Sequence, residues 1–178
     1  MKLRDHRFFF NMIWLIILIT IPLPLIITVD NSLETLSSSS EIMGINFGVF
    51  AYTWMLSAIY LSTQPKWLDR IIGLPDMYII HGVTAVFAVV FMWLHDNMLI
   101  SAGLISLTGD ISLYMFTAIL VYSLVFMAGW LTSRVKFLMT IKKGLEKIFK
   151  HELSMWLHRL NLLATLLIYV HIVLIPYI

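Results

Sequence analysis

Read as a string of apolar and polar positions, the chain falls into five long apolar stretches, near 8–28, 43–63, 77–97, 111–132 and 155–177, separated by short polar connections. Each is close to the ~20 residues that an α-helix needs to cross a hydrocarbon core. The pattern predicts an all-α integral membrane protein, a bundle of five transmembrane helices forming a single domain. Pro22 and Pro24 lie inside the first stretch and predict a kink there. A basic start before an apolar run is also the form of a cleaved signal peptide, but the run is long and no small-residue cleavage site follows it, so it is read as a span. Between the fourth and fifth stretches, Phe137, Leu138, Ile141, Leu145, Ile148 and Phe149 recur at helical spacing opposite Lys142, Lys143, Lys147 and Lys150. That predicts a short amphipathic helix on the cytoplasmic membrane surface. Ser37 to Ser40 reads as a solvated loop, and no two stretches are alike enough to form a sequence repeat.

Composition agrees with the pattern, since 60% of the 178 residues are hydrophobic and only 12% are charged, far from the balance of a soluble domain. The absence of cysteine excludes disulfides, iron–sulfur clusters and thiol chemistry, so any metal must take nitrogen or oxygen ligands. A net charge of +2 hides a strong asymmetry. Lys2, Arg4 and Arg7 precede the first stretch, Lys66 and Arg70 lie between the second and third, and six cations from Arg134 to Lys150 lie between the fourth and fifth. The connections 29–42 and 98–110 and the tail hold no Lys or Arg, and Asp30, Glu34, Glu41, Asp96 and Asp110 fall on that side. Cations near span ends stay in the cytoplasm, which predicts a cytoplasmic amino terminus and an outer carboxyl terminus. The cations sit in short loops and form no nucleic-acid-binding face.

Four of the six histidines lie within apolar stretches. The third and fifth stretches run in the same direction, with His81 and His158 near their inner ends and His95 and His171 near their outer ends. Separations of fourteen and thirteen residues correspond to roughly 20 Å along a helix axis. Two levels of paired imidazoles result, and each offers the two neutral nitrogen ligands that a six-coordinate b-type haem iron takes. A second reading makes the same residues transition-metal ligands or proton relays of a non-redox membrane subunit. Fourteen steps leave His81 and His95 about 40° apart, but thirteen leave His158 and His171 about 140° apart, which predicts a π-bulge or curvature in the fifth helix. Arg70 and Arg159 are the candidate partners of the inner haem's propionates. His6 precedes the first stretch, and His151, seven residues before His158 on one helical face, could replace it as a ligand, although its lysine-rich surroundings favour a solvated reading. Trp14, Trp93, Trp130 and Trp156 read as interface anchors, and the eleven methionines mostly as lipid-facing or packing residues.

The segment Leu68-Asp69-Arg70-Ile71-Ile72-Gly73-Leu74, the His81/His95 pair, and His158-Arg159-Leu160 followed by His171 together resemble the ferric reductase-like transmembrane domain, over roughly residues 45–175. This is the haem-bearing part of NADPH oxidases, ferric reductases and the membrane subunit of bacterial methionine sulfoxide reductase systems. The resemblance implies two haem b groups, held by His81, His158, His95 and His171, passing electrons from a cytosolic flavin to an outer acceptor. The chain departs from that family in stopping at Ile178, after a fifth span where a sixth is usual, and in having no Gly-rich dinucleotide loop. A separate flavoprotein reductase carrying FAD or FMN, or a quinol, is then the expected donor. An extracytoplasmic electron acceptor, surrounding lipid and a further membrane subunit in place of the sixth helix are the other expected partners. The expected location is the cell (plasma) membrane, and the expected role is that of an oxidoreductase component.

Overall fold

The computed structural model describes residues 7–33, 38–126, 140 and 151–175. The described chain is helical: α1 (Arg7–Thr20), α2 (Leu23–Leu33), α3 (Ser39–Ser62), α4 (Lys66–Ile72), α5 (Leu74–Met98), α6 (Gly103–Phe126) and α7 (His151–Val173). Five segments are long and apolar enough to cross a membrane: Met12–Ser32, Ser39–Ser62, Leu74–Met98, Gly103–Phe126 and Trp156–Val173. The expected multi-pass, all-α membrane architecture is therefore present in outline. The Lys-rich segment expected to form an amphipathic helix falls, apart from Thr140, outside the described residues.

Two compact units divide the chain, 1–100 and 101–178. In the first, α3 packs along α5, with α2 against α3 and α4 against α5. The expected kink is a full break at Ile21–Pro22, because proline cannot donate to the carbonyl four residues earlier. That carbonyl, Leu18 O, instead accepts a bond of 2.7 Å from the Trp54 indole of α3. Trp54 belongs to a packed aromatic group of α3 and α5, 5.2 Å from Phe91 and 6.0 Å from Phe87, with Phe91 5.5 Å from both Phe47 and Phe50. At the other end, Leu68 and Ile72 of α4 bury themselves with Leu61 and Met77, and Trp14 packs on this cluster. Trp14 is thus half-buried against protein, while Trp93 and Trp156 are exposed and Trp130 lies outside the described residues. Gly73, at φ +88°, makes the turn from α4 into α5, a backbone state open chiefly to glycine.

In the second unit α6 packs along α7. Ala164 and Ser112 are both fully buried, and such small side chains let helices approach closely. Helix α6 starts at Gly103, eight residues before the stretch expected to begin at 111. Its polar first turns are satisfied from within: Thr108 Oγ1 donates to Leu104 O at 2.7 Å and Ser106 Oγ to the Asp110 carboxylate at 3.1 Å. The expected 98–110 connection therefore shrinks to 99–102, and the extra helix carries two residues of the site.

Candidate functional site

All four intramembrane histidines sit on two helices, His81 and His95 on α5 and His158 and His171 on α7, and each is half-buried. Every one turns its Nδ1 onto the helix packed beside it. His81 Nδ1 bonds Ala58 O at 2.8 Å and His95 Nδ1 bonds Gly44 O at 2.9 Å, both on α3. His171 Nδ1 bonds Ile105 O of α6 at 2.9 Å. A carbonyl only accepts, so in these three rings Nδ1 carries the proton and the lone pair resides on Nε2. That is the tautomer in which an imidazole ligates through Nε2, with its second nitrogen fixed by an outer hydrogen bond.

Helix geometry explains the regularity of the first unit. Gly44 and Ala58 are fourteen residues apart, as are His81 and His95, so two antiparallel helices bring both rings to backbone carbonyls in one register. In the second unit the spacings differ, thirteen between the histidines against eighteen between Ile105 and Ser123. His158 meets a side chain there: its Nδ1 lies 3.1 Å from Ser123 Oγ and 3.5 Å from the Asn161 amide nitrogen. Helix α7 remains α-helical from His151 to Val173, so the expected π-bulge is absent. The anchor changes along α7, from a backbone carbonyl at His171 to a side-chain hydroxyl at His158.

His95 and His171 share a further device that the sequence reading missed. Each accepting carbonyl is followed four residues later by glycine, Gly48 after Gly44 and Gly109 after Ile105. Helix side chains lean toward the amino terminus, so the residue at i+4 lies over the carbonyl at i. A Cβ on Gly48 would come 2.7 Å from His95 Nδ1, and one on Gly109 would come 3.1 Å from His171 Nδ1. The signal was present as Gly44-Ile45-Asn46-Phe47-Gly48, a small-xxx-small pattern that marks close approach between helices.

Arg70 is exposed at the end of α4, and Arg159 is exposed on α7 with its guanidinium 5.5 Å from the centre of the Trp156 ring. Neither is drawn toward a histidine by a described contact. The side chain of His151 lies outside the described residues. Among the described residues, no three His, Asp or Glu side chains gather into a metal-binding group. No family model, curated protein or solved structure matches the chain.

Proposed function

We propose that this protein is a transmembrane cytochrome b, the membrane component of an oxidoreductase, in which His81 and His158 hold an inner haem and His95 and His171 an outer one. The observation that carries the reading is the anchoring of three of the four imidazoles, His81, His95 and His171, by Nδ1–H to a carbonyl of the neighbouring helix at 2.8–2.9 Å, with His158 Nδ1 3.1 Å from Ser123 Oγ. A histidine that merely satisfied itself between helices has no need to repeat one tautomer at both ends of a helix, whereas axial ligands need it. The donor set also fits the group, because neutral imidazole nitrogens in an apolar setting are the ligands of low-spin b-type iron. The pairing across the two units comes from the sequence, where the helices bearing the histidines run in the same direction and the two intervals are nearly equal. Haem, when bound, supplies reversible one-electron chemistry. The chain's own contribution is to fix ring orientation, hold the Nδ1 protons in place and exclude water.

The distribution of cations supports a cytoplasmic amino terminus, and in this reading the protein lies in the plasma membrane with His81 and His158 toward the donor. In this reading the electron donor is a cytosolic flavoprotein with FAD or FMN, or a quinol, and the acceptor is extracytoplasmic. The cationic segment around Lys142, Lys143, Lys147 and Lys150 suits an acidic donor, and Arg70 and Arg159 remain the candidates for the inner propionates. Single substitutions test the assignment. His95→Ala or His171→Ala should remove one haem while the other stays reducible from the cytoplasmic side, and His81→Ala or His158→Ala should abolish that reduction. Indistinguishable spectra and rates across the four variants would refute the two-level arrangement.

A further inference from the structure

The connection from α3 to α5 is built around two tyrosines. Tyr60 lies in the last turn of α3 and Tyr78 in the second turn of α5. They stand at one level of the helix pair, because the contacts of His81 with Ala58 and of His95 with Gly44 fix an antiparallel register in which Leu61 falls opposite Tyr78. The segment between the helices reaches both rings: Trp67 Nε1 donates to Tyr60 Oη at 3.0 Å and Gln64 Nε2 to Tyr78 Oη at 2.7 Å. An indole N–H only donates, so the Tyr60 oxygen accepts and its own proton is left for a further acceptor. Gln64 makes its contact from a left-handed backbone, φ +51°, uncommon for a residue with a side chain. Trp67 and Tyr78 are each 56% exposed and Tyr60 48%, so the three rings are packed on one side and open on the other.

Leu68 and Ile72 are the buried residues of α4. At about 100° per residue that turns Lys66 and Arg70 outward, with Trp67 and Ile71 beside them. Both cations are exposed, and no described ion pair engages either. Aromatic rings with a polar tip suit the surface of a bilayer, and an ammonium next to a phenol O–H suits a phosphate oxygen. The other cations that the sequence assigns to this side, Lys2, Arg4, Arg7 and six from Arg134 to Lys150, carry like charge, so charge complementarity favours an anionic occupant from the membrane over another part of the chain. We infer that the corner formed by Tyr60, Lys66 and Trp67, with Gln64 and Tyr78 beside it, binds the phosphate of an anionic phospholipid. Tyr60 gives its O–H and Lys66 its ammonium protons to the phosphate oxygens, while Trp67 and Ile71 lie against the acyl chains. All of these residues belong to the first unit, and the site requires no haem.

Native mass spectrometry of the full-length protein in detergent, titrated with phosphatidylglycerol and phosphatidylcholine together, is the test. Wild type should hold phosphatidylglycerol more tightly than phosphatidylcholine. Tyr60→Phe, which removes the hydroxyl and keeps the ring, and Lys66→Gln should each weaken the phosphatidylglycerol adduct by about tenfold, the size of one hydrogen bond to a charged group. Trp67→Phe, which takes the indole donor from the Tyr60 oxygen, should weaken it in the same direction. Arg7→Gln removes an equal charge from the same side and should leave the adduct as it is in wild type. Equal losses from Arg7→Gln and Lys66→Gln would reduce the binding to general attraction between cations and anionic lipid and overturn the inference. Equal retention of phosphatidylcholine would overturn it as well, as would displacement of the lipid by millimolar inorganic phosphate, which would make the ligand a soluble anion. Circular dichroism checks that each variant keeps the wild-type helix content. Should Lys66→Gln fail that check, Tyr60→Phe against Arg7→Gln decides by the same criterion. None of these outcomes depends on haem content, so failure here leaves the ligand assignment standing.

Discussion

An imidazole between two membrane helices must place one proton and one lone pair, and the neighbour of Nδ1 decides which nitrogen receives which. For His95 and His171 that neighbour is a carbonyl laid bare by a glycine one turn further on, so the glycine is as much a part of the ligand's surroundings as the carbonyl. Gly48→Ala should therefore push His95 off Gly44 O, at the ~1–3 kcal/mol typical of overpacking, and lower occupancy of the outer haem while the inner one is kept. Gly109→Ala should act in the same direction but more weakly, since its Cβ would stand 3.1 Å from the ring rather than 2.7 Å. Haem content per chain, with the optical spectrum of what remains, measures both. The histidines were legible in the sequence because an ionisable side chain within an apolar stretch stands out. Their anchors were not, because a backbone carbonyl belongs to every residue type and nothing in the letters at Ala58 or Ile105 distinguishes it. Ser123 was overlooked for a related reason, as serine is common in membrane helices and usually bonds its own backbone.

At the level of elements, the apolar stretches located the helices because length and hydropathy are what a bilayer demands. They misjudged an end wherever polar residues satisfy one another inside the helix, as at Thr108 and Asp110, which carried the start of α6 back to Gly103. The break between α1 and α2 was readable from Pro22, but its remedy was not, because Trp54 lies thirty-six residues away and reaches Leu18 O only through tertiary packing. With no water in the hydrocarbon region to replace the indole, Trp54→Phe should leave that carbonyl unpaired at a cost of about 1–3 kcal/mol. Thermal inactivation in detergent should show the loss, and Pro22→Ala in the same background should restore much of it by returning an amide to Leu18. A Trp54→Phe protein as stable as wild type would mean that α1 is held by apolar packing alone. The uneven spacing of the histidines predicted a π-bulge or curvature in α7; the helix is α-helical throughout His151–Val173, so the bulge is absent, and His158 meets a side chain where His171 meets a carbonyl. A spacing argument carries the geometry of one helix and not the choice of partner atom on the next.

At the scale of the whole molecule, five helices are long and apolar enough to make a multi-pass membrane protein, and the segregation of cations along the sequence is the basis of the orientation proposed for it. Each unit presents two anchored imidazoles on one helix, α5 in the first and α7 in the second. The central claim is that four histidines hold two irons, and the most direct measurement is a pyridine haemochrome assay against protein mass, with electron paramagnetic resonance of the oxidised protein. The account predicts two b haems per chain, both low-spin with two imidazole ligands, and one haem fewer in either His95→Ala or His171→Ala. A chain that remains colourless after expression with ample haem, or that binds a single haem untouched by those two substitutions, would contradict it.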